Sequence, residues 1–431
     1  MFVGFANQTA RGGDDEGFPT LTSEMQQEVE DSICKIYAHY DKFQLESVAL
    51  DRDGNINYIM DALLNGLPRG YTGNDGGKPW IYFWSLAALH CLGVTTDATH
   101  SSTSASNKEL LTDELLDRIA ASVLYCQNKD GGFGGGPETL AHLVTTYAAV
   151  HALAMVGTER ALSGINRPAL YKWMMSLKQP DGSFRVHHGG EIDIRASYCV
   201  VTVASLLNMI TDELVRGIGD YVTLCQTYEG GIGCIPGVEA HGGYAFCALG
   251  ALVLLGETDK IEVTALLRWA AARQFYLEGG FNGRPNKLVD GCYAHWVGGL
   301  FPIIEAVLNN GNADDESLYD KLSLQKYLLL CCQKQRKPGV MNGGMRDKPG
   351  KGVDLYHTCY CLCGLSESQN TLQVKRSDNG TLSWTFEQSS QSTVAGVEEN
   401  RLLPVHPVHT IGLGHVTATI DYFSKQPLQL V

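Results

Sequence analysis

Two kinds of apolar segment alternate along the chain. Segments of the first kind, such as 111–126 and 261–275, are amphipathic and carry charged residues at helical spacing. Segments of the second kind, such as those starting at 146 and 243, are apolar on nearly every side and rich in small residues. An amphipathic helix buries one face, whereas a helix that is apolar all round is surrounded by other helices. The pattern therefore predicts pairs of one outer and one inner helix.

A glycine-rich turn joins the two helices of each pair and recurs along the chain. Its aligned apolar residues, Phe133, Phe184, Ile232 and Phe281, follow one another at steps of 51, 48 and 49 residues, and a degraded fifth turn spans 331–344. Steps of this regularity indicate a repeat of helical hairpins. Because nearly featureless inner helices favour a closed ring over an open solenoid, we expect an all-α fold, an α/α toroid (barrel) with inner and outer rings.

The repeat also determines the expected domain organisation. A chain of 431 residues would ordinarily divide into two or three domains, but a ring of repeats grows without dividing. We therefore expect a flexible N-terminal arm at 1–25 and a single barrel domain at 26–425. Inside that domain, we interpret 95–109 as a polar insertion and 366–400 as a long surface segment without helical period.

Net charge and cysteine content indicate which partners and which cellular compartment to expect. With 33 basic and 47 acidic residues the net charge is −14, which disfavours nucleic acid and anionic membrane surfaces as partners. Thirteen cysteines without a secretory signal pattern favour a reducing setting, and we expect a cytoplasmic protein. Since no apolar run reaches the ~18 residues that a membrane span needs, stable membrane insertion is not expected.

Residues of metal-ligand type occur at the starts of two successive inner helices. Asp290 and Cys292 precede one helix, and His357 lies at the start of the next. Because turn and helix alternate in the same order in every repeat, all inner helices begin at one rim of the ring. A carboxylate, a thiolate and an imidazole leave a fourth position open, as in catalytic zinc sites. The alternative is a core thiol and a helix-capping histidine; the repeat geometry favours the metal.

Basic residues gather at the same rim. Arg284 and Lys287 lie just before the first ligand pair, and His241 and Arg195 belong to the two preceding repeats. In a chain of net charge −14, such a cluster beside helix N-termini suits a polyanion such as a diphosphate. Ordinary ion pairs with neighbouring carboxylates are the alternative, above all for Arg195. The hydroxyl of Tyr293 is a further candidate donor.

The expected lining of the ring is aromatic. A single aromatic residue at helical spacing belongs to the core as often as to a ligand site. Beside an anion site and a zinc ion that accepts a thiolate, however, an apolar funnel suits a prenyl diphosphate and a cysteine-bearing acceptor. The aromatic candidates are Trp80, Phe83, Trp84, Tyr147, Tyr198, Tyr244, Trp296, Tyr356 and Tyr360.

Six segments between about 30 and 420 resemble, in the same order, the family of protein farnesyltransferase β subunits. They include "GGFGGGPETLAHLVTTYAAVHAL", "FNGRPNKLVDGCYAHW", "DKPGKGVDLYHTCYCLCGLS" and "LPVHPVHTIG". The resemblance implies an α/α barrel and an obligate heterodimer with a separate α subunit. It also implies transfer of a farnesyl group from farnesyl diphosphate to the cysteine of a C-terminal C-a-a-X motif, as on small GTPases.

The resemblance assigns roles residue by residue. It implies one zinc ion per chain on Asp290, Cys292 and His357, and it matches Asp347 to a carboxylate that helps to hold magnesium with the diphosphate. The remaining matches are diphosphate contacts at His241, Arg284, Lys287 and Tyr293, an isoprenoid wall at Trp80, Tyr147, Arg195, Tyr198, Cys247 and Trp296, and a peptide pocket at Trp80, Trp84, Val144, Tyr356 and Tyr360.

The sequence departs from the family pattern at three places, and other families with related motifs have to be compared with it. Phe83 stands where tyrosine is usual and Val144 where a smaller residue is usual, which bears on the peptide preference together with the 95–109 insertion. Terpene cyclases share the glycine-rich turn but use an Asp-x-Asp-Asp acid, and thioester toroids carry Gly-Cys-Gly-Glu-Gln; the sequence has neither motif. The nearest alternative is a geranylgeranyltransferase type I β subunit, although Trp80 and Tyr360 match the bulky residues that favour a farnesyl donor.

Overall fold

The computed structural model describes residues 18–41, 48–67, 69–99, 110–308, 317–334, 343–378, 380–386 and 393–428. Within these ranges the chain is mostly helical, and its strands form one two-stranded sheet. Among the same residues, no helix has the length and apolar character that crossing a lipid bilayer demands.

The helices follow one another in the order that the hydrophobic pattern predicts, with short connecting helices between some pairs. They are α1 (Leu21–Tyr40), α2 (Arg52–Asn65), α3 (Lys78–Cys91), α4 (Asp113–Leu124), α5 (Leu143–Val156), α6 (Glu159–Ser163), α7 (Arg167–Leu177), α8 (Ile194–Leu206), α9 (Asp212–Val215), α10 (Ile218–Cys225), α11 (Gly242–Leu255), α12 (Val263–Ala271), α13 (Tyr293–Trp296), α14 (Leu300–Leu308), α15 (Lys321–Tyr327), α16 (Leu355–Gln369) and α17 (Leu413–Ser424).

Six of these helices form the inner ring: α3, α5, α8, α11, α13 and α16. Each packs against the next, and α16 returns to pack against α3, so the ring is closed. Small side chains allow this close approach, and Ala148, Ala149 and Ala152 of α5 have no exposed surface. The closed ring confirms the predicted α/α toroid with its inner and outer helices.

The glycine-rich turns have the same construction in successive repeats. In the first, an antiparallel bridge joins Gln127 to Phe133, whose side chain is fully buried. Gly131 has a φ of 109°, and a Cβ there would lie 2.2 Å from the backbone carbon of Ala169 in the next outer helix. Gly230 repeats this arrangement with a φ of 95°. Only glycine allows both the positive φ and the close contact, which explains why the motif recurs.

The inner helix predicted from residue 292 is interrupted. A turn at 297–299 separates α13 from α14. Gly298 and Gly299 lower the helical preference there, and Pro302 has no N–H to donate back to the preceding turn. The short α13 therefore stays at the rim and carries Tyr293 and Trp296.

In the N-terminal half, the structure differs from two predicted segment boundaries, those of the arm and of the insertion. Of the expected arm at 1–25, residues 1–17 lie outside the described residues, whereas Leu21–Met25 form the start of α1 behind the capping Thr20. The expected insertion at 95–109 is described only as far as Thr99. Its first residues are part of the body of the protein, since the Asp97 side chain is buried and accepts a hydrogen bond from the backbone N–H of Gly414.

The predicted surface segment 366–400 begins too early. Residues 366–369 complete α16 and are buried. Hydrogen bonds make this burial of polar side chains possible: Ser366 donates to Leu403 O at 2.6 Å and Gln369 to Asn400 O at 3.1 Å. The part without helical period contains an antiparallel hairpin of β1 (Leu372–Arg376) and β2 (Leu382–Phe386). Residues 379 and 387–392 lie outside the described residues.

Candidate active site and metal centre

Three side chains of metal-ligand type meet at the rim where α13 and α16 begin. The ligand atoms of Asp290, Cys292 and His357 all lie within 4.8 Å of one another. Nε2 of His357 is 3.3 Å from Oδ1 of Asp290, which also accepts the backbone N–H of Cys292 at 2.9 Å. The structure thus brings together residues 65 positions apart in the sequence, as the repeat phase requires. A carboxylate, a thiol and an imidazole at this range fit a Zn²⁺ ion with three protein ligands.

Asp354 orients the histidine of this group and was not a sequence candidate. Its Oδ2 is 2.6 Å from Nδ1 of His357, and its Oδ1 caps α16 by accepting the His357 N–H at 2.8 Å. A carboxylate on one ring nitrogen leaves the other nitrogen for a metal, which is the usual support of a metal-binding histidine. The sequence signal was an acid three residues before the histidine at a helix start, but capping alone accounts for that signal.

The charges of the cluster shift its pKa values strongly. Burial acts to raise the pKa of Asp290, but the hydrogen bond and charge of His357 hold it below its ordinary value. Burial acts to lower the pKa of His357, yet the Asp290 and Asp354 carboxylates raise it to about 10. Burial, together with the Asp290 charge, raises the pKa of Cys292 well above its ordinary value. A divalent cation that binds here must therefore displace protons from both the imidazole and the thiol.

Asp347 lies close enough to the cluster to sense its charge. Burial and the negative charge of Asp290 raise the pKa of the Asp347 carboxyl. The Asp347 carboxylate forms an ion pair with the buried Lys348. The backbone oxygen of Asp347 accepts the N–H of Gly291 at 2.8 Å. To hold magnesium, as the family resemblance implies, Asp347 would have to exchange Lys348 for the cation.

The basic candidates are also at this rim, and two of them are paired. Arg284 forms an ion pair with Glu239, and Arg195 lies 2.5 Å from Oδ2 of Asp193. These pairs are the alternative that the sequence left open. Lys287 is exposed beside them. An incoming anion would therefore compete with carboxylates for the two guanidinium groups, while Lys287 faces solvent.

His241 and Tyr293 connect two successive repeats. Nδ1 of His241 caps α11 by accepting the N–H of Gly243 at 3.1 Å, so the ring proton is on Nε2. Nε2 is 2.9 Å from the Tyr293 hydroxyl oxygen and donates to it. Burial, and then the charge of Arg284, lower the pKa of His241, which keeps the imidazole neutral. The hydroxyl hydrogen of Tyr293 is then directed away from His241 and can be donated to an anion.

Seven of the aromatic candidates form a continuous wall in the ring. Of the six successive pairs, three are tilted, two are edge-on and one is stacked, all at centroid distances that aromatic pairs favour. Their centroid distances are 5.9 Å for Trp80–Tyr147, 5.4 Å for Tyr147–Tyr198, 5.3 Å for Trp80–Trp84, 5.7 Å for Trp84–Tyr356, 4.9 Å for Tyr356–Tyr360 and 4.5 Å for Trp296–Tyr360.

Hydrogen bonds fix several members of this wall. The Tyr198 hydroxyl donates to Val408 O at 2.6 Å, and the Trp296 indole donates to the Tyr356 hydroxyl at 3.0 Å. Cys247 is buried, and burial raises the pKa of its thiol, so it lines the ring as an apolar residue. The wall is therefore rigid and offers mainly carbon surface to a ligand.

A pocket of about 480 Å³ adjoins this wall, with Trp84, Tyr356 and Asp354 in its lining. Tyr58 and Tyr71 complete its aromatic side. Val144, the remaining peptide candidate, is half-buried in the first turn of α5. A volume of a few hundred cubic ångströms is typical of a ligand site. Two of the five residues matched to the peptide, Trp84 and Tyr356, thus border an open space beside the aspartate that orients His357.

Most of the helical region has relatives among known proteins. Residues 50–411 match the prenyltransferase α/α toroid domain family. The chain is 40% identical over 402 residues to protein farnesyltransferase subunit beta of Pyricularia oryzae, across 88% of this chain and 74% of the relative. It is 35% identical over 466 residues to the subunit of the same name from Arabidopsis thaliana, across 94% and 90%. With geranylgeranyl transferase type-1 subunit beta of Arabidopsis thaliana it shares 30% identity over 342 residues, across 73% and 84%.

A solved structure has the same fold. The chain superimposes on Candida albicans protein geranylgeranyltransferase-I complexed with GGPP with a TM-score of 0.64, across 87% of this chain and 99% of that one. The sequence identity is 19%, so this likeness concerns the fold alone. The farnesyltransferase relatives confirm the resemblance found in the motifs, because they match in sequence over most of their own length. The chain belongs to the protein prenyltransferases and, among them, to the family of farnesyltransferase β subunits.

Proposed function

We propose that this chain is the β subunit of a zinc-dependent protein farnesyltransferase that works in the cytoplasm as a heterodimer with an α subunit. The enzyme would transfer the farnesyl group of farnesyl diphosphate to the cysteine thiol of a C-terminal C-a-a-X motif, on acceptors such as small GTPases. The observation that carries the proposal is the meeting of Asp290, Cys292 and His357 at one end of an aromatic wall.

Asp290, Cys292 and His357 would hold one Zn²⁺ ion, because their donor set leaves a fourth position for the acceptor thiol. Zinc, when bound, lowers the pKa of a thiol that ligates it, so that the sulfur is a nucleophile near neutral pH. Asp354 keeps Nε2 of His357 directed at the metal position. The peptide would enter through the adjoining pocket, which Trp84 and Tyr356 border.

The diphosphate would lie against the basic side of the rim. Tyr293 donates its O–H there, since its oxygen already accepts from His241. Arg284 and Lys287 add positive charge. Their attraction to the diphosphate would strengthen when the bound substrates exclude water. Donors that are fixed before the reaction stabilise the charge that grows on the leaving diphosphate as the C–O bond breaks. Magnesium beside Asp347 would neutralise part of the same charge.

The isoprenoid would lie along Trp80, Tyr147, Tyr198 and Trp296, where it buries its carbon chain against aromatic rings. Tyr360 is 2% exposed and closes the wall next to Trp296. A bulky floor favours the 15-carbon farnesyl chain, because each further methylene group would need space that these rings occupy. The alternative is a geranylgeranyltransferase type I β subunit, which the relative at 30% identity keeps open.

Turnover by the purified heterodimer with farnesyl or geranylgeranyl diphosphate and a panel of C-a-a-X peptides tests the proposal. We expect farnesyl transfer to dominate, and no turnover by the isolated chain. Cys292→Ala should lose both the metal and farnesyl transfer, whereas the matched control Cys34→Ala, at an exposed cysteine of α1, should keep both. Full farnesyl transfer by Cys292→Ala, or exclusive use of the longer donor, would contradict the assignment.

A further inference from the structure

A turn near the C-terminus closes the barrel at the end away from the rim. The two ends of residues 405–412, the closing turn, are joined by an antiparallel bridge. Nε2 of His409 lies 3.4 Å from Oγ of Ser205, and its Nδ1 lies 3.2 Å from Nε2 of His151. Ser205 and His151 belong to the later halves of α8 and α5. Because the inner helices begin at the rim, the closing turn lies at the bottom of the ring.

Two tyrosines of the aromatic wall are attached to the closing turn. The Tyr198 hydroxyl donates to the carbonyl oxygen of Val408 at 2.6 Å, and the Tyr147 hydroxyl donates to that of His409 at 3.4 Å. Both tyrosines therefore direct their polar ends into the turn and leave their carbon faces to the inside of the ring. The position of the turn thus determines how deep the apolar wall extends.

The closing turn contains a residue in an unfavourable backbone conformation. Thr410 has a φ of 61°, in the left-handed region that β-branched residues rarely adopt. Its N–H donates to His406 O at 2.8 Å, and the His406 N–H donates to Ile411 O at 2.7 Å. A strained conformation persists only where the surrounding structure holds it, and such residues cluster at functional positions. Contacts of the Thr410 side chain help to offset this strain.

A buried histidine and a buried glutamate supply such a contact from two inner helices. Nε2 of His295, in α13, lies 3.3 Å from the hydroxyl oxygen of Thr410. Nδ1 of the same ring lies 2.9 Å and 3.2 Å from the two carboxylate oxygens of Glu367, in α16. His295 and Glu367 are both buried. Since buried polar groups cost free energy unless they are paired, the three side chains act as one hydrogen-bonded unit.

The imidazole of this unit also packs against the aromatic wall. The His295 ring is stacked on Tyr360 with a centroid distance of 5.2 Å and an interplanar angle of 22°. Its centroid is 4.9 Å from that of Trp296. His295 therefore contacts two wall residues on one side and the closing turn on the other.

We propose that Glu367 and His295 are positioning residues that hold Thr410, and with it the closing turn, so that the isoprenoid site ends at a fixed depth. This inference rests on the proposed function, because it assigns a length limit to the farnesyl donor. The turn occupies the space that the extra isoprene unit of a geranylgeranyl chain would need. Once the bridge from Glu367 through His295 to Thr410 is broken, the turn can shift and the longer chain gains room.

Hydrogen exchange of the heterodimer, followed by mass spectrometry, tests the hold on the turn without measuring activity. Thr410→Val keeps the branched Cβ and loses the hydroxyl, and we expect the peptide that contains residues 405–412 to exchange about 10-fold faster. Thr410→Ser, which keeps the hydroxyl, should exchange as the wild type does. The same holds for the control Thr417→Val, at an exposed threonine of α17. Unchanged exchange in Thr410→Val would overturn the proposal.

Donor choice tests what the turn does. The ratio of kcat/KM for farnesyl to that for geranylgeranyl diphosphate, with one C-a-a-X peptide, should fall about 10-fold in Thr410→Val and stay unchanged in Thr410→Ser. The double variant His295→Phe, Glu367→Leu should show the same fall. Both partners are replaced together, because one alone would stay buried without compensation, and phenylalanine keeps the ring on Tyr360. A wild-type ratio in Thr410→Val would show that the turn does not limit the chain.

A triple variant that combines these changes tests the bridge itself. If Glu367 and His295 act through Thr410, the triple variant should have the donor ratio of the double variant, whereas effects that multiply would refute the positioning role. If Thr410→Val fails to assemble, exchange and donor choice of the double variant decide. A wild type that transfers no farnesyl group would refute the proposed function, and exchange would then decide whether the bridge holds the turn. Variants that keep the farnesyl preference of an active wild type would refute only the role of the closing turn.

Discussion

Nε2 of His241 lies 2.9 Å from the hydroxyl oxygen of Tyr293, so that the residue capping one inner helix supports the first residue of another. The contact fixes the direction of the tyrosine O–H, because the oxygen already accepts one hydrogen bond. A phenol held in this way is a donor in a set position at the rim where the diphosphate is proposed to leave.

Replacement of Tyr293 by phenylalanine should therefore lower the rate of farnesyl transfer more than the affinity for farnesyl diphosphate. The ring and its packing remain, and only a donor to the developing charge is lost, which costs about 100- to 1,000-fold in rate. Single-turnover rates and equilibrium binding of the donor measure the two effects. Tyr244→Phe is the matched control, since this ring also lies beside His241, at a centroid distance of 5.4 Å. Equal rates for Tyr293→Phe and the wild type would exclude the hydroxyl from the reaction.

Replacement of Asp354 by asparagine distinguishes its two roles, which are to cap α16 and to orient His357. Asparagine also caps helices, so α16 should keep its stability. The charge that orients and polarises His357 is lost, and we expect zinc affinity to fall by about 10- to 100-fold. Competition with a chromogenic chelator measures this change. Asp320→Asn, at the cap of α15, is the control and should bind zinc normally; the same affinity in Asp354→Asn would show that capping is the only role of Asp354.

The pH dependence of the metal-depleted heterodimer follows from the pKa of His357, which its carboxylate neighbours raise to about 10. A pKa that is higher in the folded protein than in the unfolded chain means that folding favours the protonated form. This contribution is complete below the ordinary histidine pKa of about 6.5 and is lost as the pH rises through 10. Thermal unfolding should show a smaller loss of stability between these pH values in His357→Gln than in the wild type. Parallel curves for both proteins would mean that the imidazole is not protonated.

Trimming the floor of the aromatic wall should change donor choice. The double variant Trp80→Ala, Tyr360→Ala opens space beside Trp296, and we expect use of geranylgeranyl diphosphate to rise relative to farnesyl diphosphate. Because Tyr360 is almost completely buried, the free energy of unfolding should also fall by about 3–5 kcal/mol. Steady-state rates with both donors test the selectivity, and Trp84→Ala, on the same helix as Trp80, is the control. A variant that loses farnesyl transfer without gaining the longer donor would show that these residues do not set chain length.

The ring and the Asp290 cluster could be predicted because both depend on local pattern and repeat phase. Helical period separates inner from outer helices, and a constant repeat places equivalent positions at one rim. The repeat phase does not determine which partners a side chain has at that rim. Arg195 is paired with Asp193, and Asp354 orients His357, yet helix capping gives both aspartates the same sequence signal.

Other features were hidden because their partners are distant in the sequence. Asp97 belongs to a stretch rich in threonine and serine that has the composition of a loose insertion, and only the fold brings it to His90 and His415. Ser366 and Gln369 gave the end of α16 a polar character typical of a surface loop. Their hydrogen bonds to the backbone near residue 400 make that polarity compatible with burial.

The contact of α16 with α3 closes the ring, and it has a consequence for how the chain is made. In an open array of repeats each new hairpin covers the one before it, so folding can follow synthesis. Here one side of α3 stays without its neighbour until more than two hundred further residues have left the ribosome. Contacts of such long sequence separation form slowly and leave apolar surface uncovered in the meantime. The first inner helix of the closed barrel therefore keeps one side uncovered for most of translation, until α16 has been made.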